Sequence, residues 1–215
     1  MKAALRVGCV FLLGAVVISA GPTHLRAIAL PLTRHDMARA VALARWPHSD
    51  FERARFHKRY VVPVHEPPTE YWAVEQVEVI TEFRRVELMA EEHGRINDLW
   101  GRGGVQDVEE AIQPWRGRVS IVAHLGLRAT NLYVGGAPQV DVTLGRPSAV
   151  APIDVRRTDL YASCGGDLTG GCALSGGLVE GIFDTATVGQ TTRLVTVLWK
   201  SKELAHVTID FARLE

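Results

Sequence analysis

The chain has 215 residues with 24 basic and 24 acidic side chains, so its formal charge at pH 7 is zero, and 47% of its residues are apolar. This balance excludes a nucleic-acid surface that works through bulk positive charge, and equally an acidic disordered tail. With 20 glycines, 10 prolines and three cysteines, the composition is that of an ordinary folded protein of one or two domains.

The first element is a targeting segment. Lys2 and Arg6 precede an almost wholly apolar run from Val7 to Ile18, which closes on Ser19, Ala20 and Gly21. A charged start, an apolar stretch of about 12 residues and a small-residue site together read as a secretory signal peptide. Cleavage is expected after Ala20, with an alternative site after Ala29. A membrane anchor is the competing reading, but a spanning helix needs about 20 apolar residues. Gly21, Pro22, His24 and Arg26 end the run too early for one. The expected divisions are therefore residues 1–20, removed on export; 21–114, a helical and mixed segment; and 115–215, a β-rich, sandwich-like domain. The last two are either separate or one continuous unit. The protein is expected in the periplasm or outside the cell, touching the membrane only through its signal peptide.

In the segment that follows, Thr33 stands three residues before Asp36, ahead of Met37, Ala40, Val41 and Ala44, which predicts a capped helix ending at Trp46-Pro47. Ser49 and Glu52 repeat the spacing, and Phe51, Ala54 and Phe56 are expected to form the apolar stripe of a second short helix. Residues 60–64 are β-branched but include Pro63, which suits an edge strand. Residues 65–68 carry two prolines and form a stiff connector. A short strand is expected over 72–81, then an amphipathic helix over 82–97 with Phe83, Val86, Ala90 and His93 on one face. Glycines at 101, 103 and 104 break it, and a short helix over 106–113 precedes Pro114.

The second half changes character. Residues 118–128 largely alternate between apolar and polar, as in a half-buried strand, and further strand-like runs occupy 139–144, 152–156, 177–183, 193–199 and 205–211. No helical stretch among them is long enough for a parallel crossover, so the strands are expected to pair antiparallel, the last two as a hairpin. The fold class that follows is α+β, with short N-terminal helices packed on a C-terminal antiparallel β-sandwich or partly open barrel.

Removal of the leader leaves two cysteines, Cys164 and Cys172, in a glycine-rich stretch. In an exported protein this pair reads as a disulfide, a local clip contributing about 2–3 kcal/mol. A structural zinc site needs four ligands, and a thioredoxin-like pair has two intervening residues, so neither competes well. His57, His65 and Glu66 bracket residues 60–64, and His93 follows two glutamates; any dispersed metal site is expected to draw on these four. The His-Glu-x-x-His spacing of a zinc protease is absent, as is a Gly-x-Ser-x-Gly elbow around Ser175. Trp100 and Trp115, flanked by glycine or proline, are candidate platforms for a sugar or peptide, with core anchoring as the alternative role.

Charge is unevenly spread. Residues 33–60 hold seven basic and three acidic side chains, and residues 66–92 hold eight acidic and two basic. Solvated helix faces of opposite sign account for this without a ligand. The expectation is a non-catalytic exported protein, acting as a binding or accessory module in the cell envelope. No cofactor is implied, the partner would be an envelope protein or a glycan, and nucleic acid is not expected. The alternative is a secreted hydrolase or metal-dependent enzyme using His57, His65, Glu66 and His93.

Overall fold

The computed structural model describes residues 31–44, 50–69, 71–96, 100–101, 104–128, 136–145, 149–162 and 173–215. The expected signal peptide and the Cys164/Cys172 pair lie outside these residues. Among those described, no helix is long and apolar enough to cross a membrane.

The first helix, α1 (Arg34–Ala44), begins as its sequence predicts. The Thr33 backbone N–H donates to Asp36 Oδ2 at 3.0 Å, and the Asp36 N–H donates to Thr33 Oγ1 at 3.3 Å. These reciprocal bonds satisfy donors that a helix start leaves open. The second helix, α2 (Asp50–His57), forms where expected. Of the residues expected in its apolar stripe, Phe51 is 76% exposed and Ala54 is also exposed, the Phe56 side chain lies outside what is described, and His57 is half-buried.

The remaining elements are β1 (Val61–Pro63), β2 (Trp72–Ile80), α3 (Glu82–Arg95), α4 (Gln106–Ile112), β3 (Arg118–Leu127), β4 (Val140–Gly145), β5 (Asp154–Tyr161), β6 (Leu174–Asp184), α5 (Thr185–Val188), β7 (Thr192–Trp199) and β8 (Lys202–Asp210). The protein is α+β and sandwich-like. Eight described strands form two antiparallel sheets, one ordered β1-β2-β3-β6-β5 and the other β4-β7-β8. The sheets are not confined to the C-terminal half, because β1 and β2 precede Pro114 and β2 pairs along the length of β3. A bulge between Val74 and Gln76 explains how β2 keeps one inward face. It shifts the parity of the strand, so that Trp72 and Val74 before it and Val77 and Val79 after it are all buried.

Between the sheets, Val77, Val79, Ile121, Ala123, Val179 and Phe183 of the larger one meet Val142, Leu144, Val195, Val197 and Ile209 of the smaller. Each such side chain stabilises the fold by about 1.5–3 kcal/mol relative to exposure. The sheets come close where β4 passes Gly181 of β6. A Cβ there would lie 3.1 Å from the Phe183 ring and 3.3 Å from Val142 Cβ.

A second apolar cluster joins the helices, from Met37, Ala40 and Val41 of α1 to Phe83, Val86 and Ala90 of α3 and Val108 and Ile112 of α4. Two residues at the start of α3 tie this layer to its surroundings. Thr81 accepts from the Arg84 N–H at 3.1 Å while its hydroxyl donates to the Glu215 carbonyl. Glu82 accepts from the Gly117 N–H at 2.7 Å and from Arg116 Nη1 at 3.0 Å. The layer also covers part of β3, so Ser120 and Val122 are buried and the strand is not half-exposed as its alternation suggested.

The predicted β7–β8 hairpin turns through Lys200 and Ser201, whose φ angles are 50° and 65°. Both lie in the left-handed region that matches the twist of a two-residue hairpin but disfavours residues with a Cβ. Ser201→Gly is therefore expected to stabilise the protein by about 1 kcal/mol and raise its Tm by about 2–4 °C in a thermal circular-dichroism scan. A lowered Tm would contradict this turn geometry.

Candidate functional site

The five-stranded sheet turns one face toward the smaller sheet and the other toward the start of α3. On that outer face, antiparallel register sets Glu78 of β2, Val122 of β3, Glu180 of β6 and Arg156 of β5 in one row. The neighbouring row holds Gln76, His124, Leu178 and Thr158. Side chains two apart on a strand share a face, so the two rows form one continuous surface.

Helix α3 closes one end of this surface through two consecutive arginines. Successive residues of an α-helix diverge by about 100°, and the two guanidinium groups accordingly leave in different directions. Arg85 Nη2 donates to Ser120 Oγ at 2.6 Å and to Glu180 Oε1 at 3.1 Å. Arg84 turns the other way, with Nη2 3.1 Å from Glu78 Oε1 and Nη1 3.2 Å from Glu87 Oε2. Its guanidinium carbon lies 5.3 Å from the centroid of the Tyr60 ring. The Arg84 side chain is 3% exposed, a position a cation tolerates only with such partners.

The result is an open groove of about 210 Å³, with Ile80, Val122 and Leu178 as its apolar lining. Glu78, His124, Glu180, Arg85, Arg156 and Thr158 supply its polar groups. Trp115 stands beside it, its ring centroid 3.5 Å from the Arg85 guanidinium carbon and 4.7 Å from that of Arg156. Arg156 otherwise meets Asp154, with Nε 3.4 Å from Oδ2.

Electrostatics differ sharply over this short distance. Burial pushes the Glu78 carboxyl up, but His124 and Arg84 together outweigh it and hold the group below the usual carboxylate range. For Glu87 the balance reverses, and burial exceeds the attraction of Arg84 and pushes the carboxyl up to about 7. Burial likewise raises the Tyr60 phenol. His124 Nε2 is buried and lies 3.4 Å from Glu78 Oε2, close enough for attraction but without the alignment of a hydrogen bond. The arrangement provides cationic donors, carboxylate acceptors, an imidazole beside Glu78 and an apolar base, in a space suited to a small polar molecule.

The four residues expected to build a dispersed metal site occupy three different places. His57 Nε2 lies 3.5 Å from Glu91 Oε1, and burial is the main reason its pKa falls below the ordinary histidine value. It lines a separate cavity of about 540 Å³ with Lys58, Gln76 and Arg84. His65 and Glu66 line another, of about 420 Å³, together with His206. Glu66 Oε1 accepts from the His206 N–H at 3.2 Å, while His206 Nδ1 lies 2.8 Å from Glu203 Oε1. His93 stacks on Trp100 with ring centroids 4.8 Å apart. Among the described residues, no three His, Cys, Asp or Glu side chains come together in a way that could hold a metal ion. Both tryptophans pack against the helical cluster, the anchoring role, and Trp115 also flanks the groove.

Sequence reading passed over Glu78, His124, Glu180 and Arg156. The available signal was a charged or polar residue inside an otherwise apolar strand, as with Glu180 in a run of Leu, Val, Ile and Phe. A scan against protein-family models, a search of curated proteins and a search of solved structures each return no match, so the geometry carries the functional reading.

The Glu87 environment sets a pH dependence. A carboxyl raised from 4.5 to about 7 binds its proton more readily in the folded chain than in the unfolded one. Its stabilising contribution is complete below the unfolded value and is lost as pH rises through the folded one. Glu87→Gln removes this loss, so its stability relative to the unsubstituted protein is expected to improve between about pH 5 and about pH 8 in urea denaturation. No relative improvement would show that Arg84 keeps Glu87 ionised throughout.

Proposed function

We propose that the protein is an exported, non-catalytic binding module of the cell envelope, with its ligand site in the groove on the outer face of the five-stranded sheet. The observation that carries this reading is an open groove in which Arg156, half-exposed and stacked on Trp115, presents its guanidinium beside Thr158 and Glu180. A guanidinium edge exposed in a polar-lined cleft favours a ligand as its partner. Export rests on the charged start, apolar run and small-residue site of residues 1–21. We assign the finer fold to a β-sandwich whose outer sheet face, rather than its loops, meets the partner, an envelope glycan or protein.

The reading is tested on the full chain produced in a Gram-negative host. The protein recovered from the envelope is expected to lack residues 1–20 by intact mass and to carry the Cys164–Cys172 disulfide. It should be retained on isolated envelope polysaccharide or protein, and Trp115→Ala or His124→Ala should weaken retention by about tenfold, as loss of one or two polar contacts implies. Retention unchanged by both substitutions, with circular dichroism also unchanged, would remove the groove from the function.

A further inference from the structure

The groove's charges are not all committed to one another, and the imbalance identifies a ligand class. Arg156 lies directly opposite Glu180 across the β5–β6 pair, yet Glu180 is bonded to Arg85 instead. Arg156 rests on Trp115, and its Nε donates to Asp154 on its own strand. Its two terminal nitrogens therefore form an edge that no hydrogen bond among the described residues occupies, on a side chain that is 51% exposed. A planar guanidinium edge matches a carboxylate in a bidentate manner.

Three further features narrow the choice. Glu78 and Glu180, each already paired with an arginine of α3, both line the groove, so a ligand with hydroxyl donors beside one anionic group matches the lining better than a group that mainly accepts, such as phosphate. The same carboxylates, with the Thr158 hydroxyl, accept hydrogen bonds from hydroxyl groups, and the His124 ring lines the same groove. The volume, about 210 Å³, is below the roughly 300–1,000 Å³ of sites for drug-sized ligands and suits a single small ring.

We infer that the groove binds a monosaccharide-sized, polyhydroxylated carboxylate, a uronic-acid residue of an envelope glycan, with Arg156 holding the carboxylate. The inference rests on the binding reading above and goes further by naming the ligand class. Its test uses the full chain with labelled histidine, titrated separately with glucuronate, glucose, acetate and inorganic phosphate. Binding is followed by calorimetry and by the His124 ring resonances.

Glucuronate is expected to shift His124 and to bind at least about tenfold more tightly than the other three. Arg156→Gln, on an exposed edge strand where folding is not at risk, is expected to erase that preference. Glucose binding as tightly as glucuronate, with the same His124 shift, overturns the carboxylate assignment and leaves the binding reading standing. Acetate or phosphate binding as tightly overturns the sugar assignment in favour of a simple anion site. If no probe moves His124, the uronic-acid inference fails, and retention on envelope material, measured on the same preparation, decides the binding reading separately.

Discussion

A guanidinium enclosed between a sheet and a helix governs the arrangement around it. Arg84 has only 3% of its side chain exposed, and a cation so placed must have its charge and its N–H groups answered nearby. Glu78 supplies one answer from β2 and Glu87 another from the next turn of α3. Because these partners come from a sheet and from the helix itself, they fix where α3 starts and how it is rotated about its axis. With Arg84 aimed at Glu78, its neighbour Arg85 is carried toward Ser120 and Glu180, where it walls the groove. The geometry of the candidate site is thus a consequence of how one buried charge is satisfied.

The two faces of β6 divide the remaining work. Its odd positions, Val179, Gly181 and Phe183, face the smaller sheet, and the glycine among them leaves room for β4 to pass. Of its even positions, Leu178 and Glu180 line the groove, with the buried Ile182 beyond them. Inner apolar packing therefore holds the strand against lateral shift while its outer face carries charge. A displacement by one residue would exchange the two sets, placing Glu180 in the interior and Phe183 in water. Such a strand is a firm base for polar side chains, since losing the position of Glu180 means losing core packing as well.

Much of the architecture was legible where a local rule acts alone. The reciprocal Thr33–Asp36 bonds and the 3/4 spacing of Phe83, Val86 and Ala90 mark α1 and α3 without reference to the rest of the chain. The strand-like runs of the second half correspond to β3 through β8. Burial was less legible, as Phe51 shows, because a short helix gains a buried side only where another surface meets it. The extent of β5 was also underestimated, since its exposed edge position permits Arg156, Arg157, Thr158 and Asp159 in place of an apolar run. The candidate site was not legible at all. Glu78, His124, Arg156 and Glu180 come from four strands, and no periodicity within one strand states which others lie beside it. Histidines were judged by their spacing along the chain, whereas His124 gains its significance from neighbours 46 and more residues away in β2 and some tens of residues away in β6 and β5.

The opposed arginines of α3 also have an evolutionary consequence. A helix held by Arg84 on one side and Arg85 on the other has no freedom to accept an insertion or deletion between β2 and its first turn, because a one-residue change rotates both by about 100°. Divergence should consequently erode loop lengths and core side chains before it alters the spacing from Glu78 through Thr81, Glu82, Arg84 and Arg85 to Glu87. A chain of common descent would then be recognised by that ten-residue pattern of charges when its apolar strands have drifted beyond resemblance.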